Sequence, residues 1–213
     1  TADGFPVGTL CIIHSEPRRL SPQERQALCD LAACAEDEIN RAGLENELVS
    51  VNELKRQLAH DEARQRLLAE ALAALNEIST SNHLSLEQQF QEALALGCRY
   101  LQLDIGIISR INKGIFEVVS VTAPQDVTMG AGQCLPLANT YCDMTLKNNG
   151  FLAVHNAALS DLRHHPCYET FGLEAYIGSA IQLGDQLFGT VSFSSAAPRQ
   201  QPFAETDILF IKL

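Results

Sequence analysis

Two cysteines and three histidines in the second half of the chain, Cys142 and Cys167 with His155, His164 and His165, are the residues whose types could do chemistry. A thiol becomes a nucleophile only where a helix N-terminus or a nearby cation lowers its pKa, and one of these histidines could supply the cation. His164, His165 and Cys167 also carry metal-ligating atoms. Zinc takes four nitrogen or sulfur ligands, and adjacent histidines seldom face one ion together. The expected state is therefore a solvated loop with a packed cysteine and no metal. No Ser-His-Asp pattern, phosphate-cradling glycine loop or supported carboxylate pair occurs, and Asp161 and Glu169 read as surface charges. No catalytic residue is assigned, and the expectation is that the chain is not an enzyme.

The composition narrows the rest. A chain of 213 residues, 46% hydrophobic and 19% charged, has room for one or two globular domains. A net charge of −11 argues against a nucleic-acid partner, because phosphate binding needs clustered Lys and Arg. No apolar run approaches the roughly 18 residues of a membrane span, so no membrane contact is expected. The seven cysteines form no CxxC pair and no disulfide-scaffold spacing. Reduced, mostly buried thiols in a cytoplasmic protein are the expectation.

The elements that must position these residues begin with a repeat. The stretch from Asp3 through Gly8-Thr9 to Pro17-Arg18 matches the stretch from Gly184 through Gly189-Thr190 to Pro198-Arg199 at a constant offset. Repeats at domain-sized spacing indicate tandem copies of one module. Residues 7–13 are a continuous apolar run and predict a buried strand. Ser21-Pro22-Gln23-Glu24 then supplies a cap, a first-turn proline and a glutamate three residues after the cap. The helix it opens is expected to run to about Ile78, since only Gly43 interrupts it and one glycine costs about 1 kcal/mol. Leu28, Leu31, Ala35 and Ile39 form a stripe suited to a sheet. From Val51 the spacing is heptad-like, with Val51, Leu58, Gln65, Leu72 and Ser79 at one seam position and Leu54, Asp61, Leu68 and Leu75 at the other. That seam calls for a partner, and a second copy of the chain is the expected one. Asp61 and Gln65 form a polar layer within it.

A complete module is expected from about Leu84. An amphipathic helix over 86–100 precedes strands over 104–110 and 115–122, joined by the Asn112-Lys113-Gly114 turn. A loop over 130–133, a short helix over 139–148, a brief strand over 151–155 and an irregular, partly helical stretch over 161–171 follow. Strands Ala175–Leu183 and Gln186–Ser195 then form a hairpin on a Gly184-Asp185 turn. Counting from that turn sets Ile181 opposite Phe188, Ala180 opposite Gly189, Gly178 opposite Val191 and Tyr176 opposite Phe193. A closing helix is expected to begin near Phe203 and to be truncated.

These pieces together resemble a GAF domain. The resemblance rests on Leu135-Pro136-Leu137 before Asn139-Thr140-Tyr141-Cys142, then Phe151-Leu152-Ala153-Val154-His155 and His165-Pro166-Cys167-Tyr168. Phe171-Gly172-Leu173-Glu174-Ala175-Tyr176-Ile177-Gly178 and the Gly189-Thr190 strand complete it. Gly8-Thr9-Leu10-Cys11-Ile12-Ile13 with Glu16-Pro17-Arg18 resembles the end of another copy. The implied fold is α+β: a central antiparallel sheet flanked by helices and preceded by a long coiled-coil linker helix. The implied domains are a remnant of a first GAF module over 1–42 (strand plus closing helix), a helical linker over 43–80, and a second GAF module over 81–213.

Such tandems are similar to the input halves of sensor histidine kinases and diguanylate cyclases. The implied function is sensory: binding a small molecule or mediating homodimerisation, with the signal passed through helices to an output domain. The resemblance places any pocket wall at Tyr141, Cys142, His155, Cys167, Tyr168, Phe171 and Tyr176. The small residues Gly178, Ala180 and Gly189 would either let a helix pack closely or leave room for a ligand. No cofactor is identified. Chromophore-binding relatives attach bilin through a loop Cys followed by His, whereas Tyr168 follows Cys167 here. The signature of cyclic-nucleotide-binding relatives is also missing. Two alternatives stay open: a ligand-free dimerisation module, and a thiol enzyme resembling free methionine sulfoxide reductases with Cys142 and Cys167 as its cysteines.

Overall fold

The computed structural model describes residues 8–212. They divide into two compact units, Thr1–Glu62 and Ala63–Leu213.

In the first unit, residues 8–20 carry no helix or strand. The expected strand over 7–13 does not form across its described residues; Val7, like the start of the repeat from Asp3, lies outside them. A strand exists only by hydrogen-bonding to a neighbour, and this stretch has none among the described residues. Its apolar side chains are accordingly open to solvent, Ile13 at 90%. Helix α1, Pro22–Thr80, starts as its cap residues dictate. The Glu24 amide donates to Ser21 Oγ at 3.2 Å, and the Ser21 amide donates to the Glu24 carboxylate at 2.8 Å. Leu31, Ile39, Leu44, Leu48, Val51, Leu54 and Leu58 along its first part are all exposed.

The second unit opens with the last turns of α1. Helix α2, Leu86–Leu101, follows, then strands β1 (Ile105–Asn112), β2 (Ile115–Thr122) and β3 (Cys134–Pro136). Helix α3 (Tyr141–Lys147), strand β4 (Phe151–Val154) and helix α4 (Pro166–Phe171) lead to β5 (Ala175–Leu183), β6 (Gln186–Ser195) and helix α5 (Glu205–Lys212). Ser85 and Gln88 form a capping box on α2. The six strands make one antiparallel sheet in the order β3-β2-β1-β6-β5-β4. This is the expected α+β architecture, with β3 an edge strand that the sequence reading did not separate from its loop.

The sheet has two differently used faces. One carries Ile108, Ile177 and Phe193 beneath helices, where Leu94 of α2, Phe210 of α5 and Leu68 of α1 join a single core. Phe193 is its centre. A Cβ placed on Gly97 of α2 would fall 2.3 Å from the Phe193 ring, and one on Gly106 of β1 would fall 2.9 Å from it. Both glycines therefore let backbone approach an aromatic ring that a methyl would displace. Leu68, Ala71, Leu72 and Leu75 pack on this same core. The heptad reading assigned Leu68, Leu72 and Leu75 to a second chain, but they dock on their own module. A globular helix and a coiled coil share the three-four spacing, and the burial of Ala71 widens the stripe beyond a two-position seam.

The hairpin turn is as expected, with Gly184 at φ 61° and Leu183 paired to Gln186. The register beyond it is not. A β-bulge leaves Phe188 as an extra residue, so Ile181 pairs with Gly189, Ala180 with Thr190, Gly178 with Ser192 and Tyr176 with Ser194. Every expected pairing moves by one residue, and a one-residue slip exchanges faces. Gly189 consequently does not share a face with Gly178 and Ala180. Its missing Cβ serves another purpose: a methyl there would sit 1.8 Å from the Ser109 carbonyl oxygen on β1.

Two glycine substitutions separate packing from propensity. Gly97→Ala is expected to destabilise the second unit by about 1–3 kcal/mol through overpacking on Phe193. Gly43→Ala, with nothing within 4 Å of its new methyl, is expected to stabilise α1 by up to about 1 kcal/mol. Urea unfolding of each variant against the parent measures both.

Candidate functional site

The other sheet face carries Tyr176 of β5 and Ser192 and Ser194 of β6, with Ile105 and Ile107 of β1 paired beside the two serines. Tyr176 lies down along its own strand. A Cβ on Gly178 would fall 2.2 Å from the Tyr176 hydroxyl, so the glycine makes room for this ring. Its phenol oxygen lies 2.8 Å from Thr145 Oγ1 and 3.6 Å from Cys142 Sγ, both on α3. Thr145 donates to the Tyr141 carbonyl, and Thr190 Oγ1 donates to Cys142 Sγ at 3.1 Å. Ser109 meets Thr190 Oγ1 at 2.7 Å. Every group is satisfied when donation runs from Ser109 through Thr190, Cys142, Tyr176 and Thr145 to the Tyr141 carbonyl. This buried chain ties α3 to strands β1, β5 and β6.

Tyr141, at the start of α3, packs edge-on against Tyr176 with ring centroids 5.2 Å apart, and its hydroxyl donates to the Leu173 carbonyl at 3.1 Å. Helix α4 begins at Pro166, where His165 Nδ1 accepts from the Cys167 amide at 3.1 Å. That acceptance requires the neutral imidazole; burial pulls the His165 pKa down, opposed by Asp143 and assisted by Lys147.

Between these parts lies a cavity of about 150 Å³. Ile105, Ile107, Ser192 and Ser194 form its sheet side, and Tyr141, Cys142 and Cys167 its helix side. Val127 and Met129, from the connection between β2 and β3, complete the wall together with Phe171 and Leu173. Five of the seven residues expected in a pocket wall line it: Tyr141, Cys142, Cys167, Phe171 and Tyr176. The other two do not. His155 follows β4 and offers its carbonyl to the Arg199 amide, while the Tyr168 hydroxyl donates to Glu174 at 2.7 Å. Ser192 and Ser194 were missed, although two small polar residues at alternate positions of an apolar strand mark one face of it. The misplaced register put Val191 and Phe193 on that face instead.

The thiols sit in the wrong environment for nucleophilic chemistry. Burial pushes Cys167 from the ordinary thiol value of 9.0 up to about 12, opposed by the Tyr141 backbone. Cys142 is raised by burial as well, with hydrogen bonds from Thr190 and Tyr176 acting the other way. Both remain protonated at neutral pH. Cys11, Cys29, Cys34 and Cys134 are exposed, contrary to the expectation of mostly buried thiols; three of them lie in the first unit, where no sheet covers them. His164 accepts from Arg163 while His165 caps α4, and no cluster of three metal-ligating side chains occurs among the described residues. No helix among those residues is long and apolar enough to cross a membrane.

A six-stranded antiparallel sheet with helices on one face and a cavity under a helical crossover on the other defines a compact α+β module. The sequence profile of the GAF domain matches residues 85–213, and the chain belongs to that family. The fold is similar to the GAF domain of a phosphoenolpyruvate-protein phosphotransferase from Acinetobacter (TM-score 0.53, 14% identity, covering 70% of this chain and 86% of that one). It is also similar to the phycocyanobilin-bound GAF domain of a cyanobacterial phytochrome (TM-score 0.52, 14% identity, 70% and 87%). A third is the free methionine-R-sulfoxide reductase of Neisseria meningitidis, in complex with its substrate (TM-score 0.51, 11% identity, 69% and 80%). No curated protein sequence matches the chain.

The buried thiols set a pH dependence. A group whose folded pKa is raised contributes stability that is intact below its unfolded value and is lost as pH rises through the folded one. For Cys167 that window runs from 9.0 to about 12. Urea unfolding is expected to show stability falling as pH rises from 9.0 toward about 12, with a shallower fall in Cys167→Ala.

Proposed function

We propose that this GAF region is the sensory part of a cytoplasmic signal-transduction protein. A small molecule in the cavity biases the arrangement of the helices on the opposite sheet face, and paired α1 helices carry the change to an output domain such as a histidine kinase or a diguanylate cyclase. The observation that carries this reading is the cavity itself, walled by the α3–α4 crossover and floored by the strand that supports the helices. A ligand needs a differential affinity of only about 1–3 kcal/mol between two helix arrangements to act this way. The exposed residues Leu44, Leu48, Val51, Leu54 and Leu58 supply the pairing stripe.

The internal repeat supports reading residues 1–42 as the closing part of another GAF copy. The counterparts of residues 8–14 lie in β6, which is paired on both sides in the second unit. Two structures of similar fold carry bound groups, phycocyanobilin in the phytochrome domain and its substrate in the reductase, which supports a ligand-binding reading of the cavity. Protonated Cys142 and Cys167 weigh against transferring the reductase's thiol chemistry to this chain. A ligand-free dimerisation spacer is the second reading, favoured by the apolar stripe, which stands whether or not the cavity is filled.

Analytical ultracentrifugation tests the pairing. The chain is expected to sediment as a dimer at micromolar concentration, and the double variant Leu54→Glu with Leu58→Glu as a monomer. A parent chain that stays monomeric at high micromolar concentration would sink the helix-pairing mechanism.

A further inference from the structure

We infer that the cavity selects a small, uncharged, mainly apolar molecule carrying a single hydroxyl or carbonyl group, which the Ser194 hydroxyl holds. This rests on the sensory reading above and specifies its ligand.

Three observations set the class. The first is volume. At about 150 Å³ the cavity has the volume of engineered core cavities that accept benzene-sized molecules, so the part of a ligand it encloses has about six to nine non-hydrogen atoms. A bilin or a cyclic nucleotide is several times larger. The second is charge. No lining residue is Asp, Glu, Lys, Arg or His, so a carboxylate, phosphate or ammonium group would be desolvated without a counter-ion.

The third is the state of the polar groups in the wall. Tyr141 donates to Leu173, Thr140 to the Leu137 carbonyl, and Tyr176 and Cys142 are engaged with each other and with Thr145 and Thr190. Ser192 faces the Cys142 sulfur and acts against the burial that raises that thiol's pKa. Ser194 is different. It is 5% exposed, lines the cavity, and its hydroxyl has no hydrogen-bond partner among the described residues. A hydroxyl facing a mainly apolar space is a point at which a ligand gains by presenting a polar atom. Phenol and its close analogues meet all three conditions.

The test is calorimetry and amide-resolved NMR on the full chain with phenol, toluene and benzoate as probes. Phenol and toluene are expected to bind and to shift the Ser192 and Ser194 amides, with benzoate at least about tenfold weaker. Ser194→Ala is expected to weaken phenol by about three- to tenfold and to leave toluene unchanged. Toluene binding also reports whether the variant keeps its cavity, and Ser194→Cys replaces it if the alanine variant does not fold. Benzoate binding in the cavity as tightly as phenol, or phenol binding indifferent to both Ser194 variants, would overturn the ligand class and leave the sensory reading standing. No binding of any probe to the folded chain would overturn both.

Discussion

A tyrosine buried without its hydroxyl satisfied would forfeit about 1–3 kcal/mol of what its ring contributes, and the second unit is arranged so that this does not happen. Tyr176 points along its own strand because Gly178 leaves it the space, and its hydroxyl meets α3 at Thr145 and Cys142. Position of α3 follows from that contact. So does the placement of Tyr141, whose ring stands against Tyr176 and whose hydroxyl fastens the chain entering β5 at Leu173. The cavity is the space left between a helix held at a fixed height by hydrogen bonds and a floor of small side chains, Ser192 and Ser194. It is therefore a consequence of polar satisfaction and not of loose packing.

Strand β6 joins the two faces of the molecule. Ser192 and Ser194 look toward the cavity, while Val191 and Phe193, alternating with them, lie under the helices. Beyond β6 the chain reaches Arg199, whose amide donates to the His155 carbonyl and whose guanidinium donates to the Leu101 carbonyl at the end of α2 and to Asp207 of α5. The Asp207 carboxylate also accepts from the Ala204 amide at 3.0 Å and so caps α5. The end of the cavity floor thus runs directly into the joint between two helices and β4. A displacement of β6 has a short physical path to α5, through side chains that are packed or hydrogen-bonded throughout.

Much of this was legible in the residues. Turn and cap chemistry gave the β5–β6 hairpin its ends and the α1 start its Ser21 box, and amphipathic spacing gave α2 its span, because those signals are local. What failed depended on partners that a sequence does not display. The β-bulge at Phe188 is one extra residue with no mark of its own, yet it moved Ser192 and Ser194 onto the cavity face and sent Gly189 to the other. The stripe of Leu68, Leu72 and Leu75 has the same spacing whether it meets a second chain or its own sheet. Residues 8–13 have strand composition without a neighbouring strand in the described structure. Tyr168 sits beside the wall residue Cys167 in sequence, but its hydroxyl donates to Glu174; His155 follows β4, where its carbonyl accepts from the Arg199 amide.

The account stands or falls on whether the space beneath α3 is a true apolar cavity shaped by the Tyr176 contact. Diffraction from crystals held under xenon pressure measures this directly, because xenon enters dry apolar cavities of this size and scatters strongly. A xenon peak bounded by Tyr176, Cys142 and Ser194 is expected. A crystal that takes up xenon elsewhere, with water or a collapsed α3 in this position, would contradict the account.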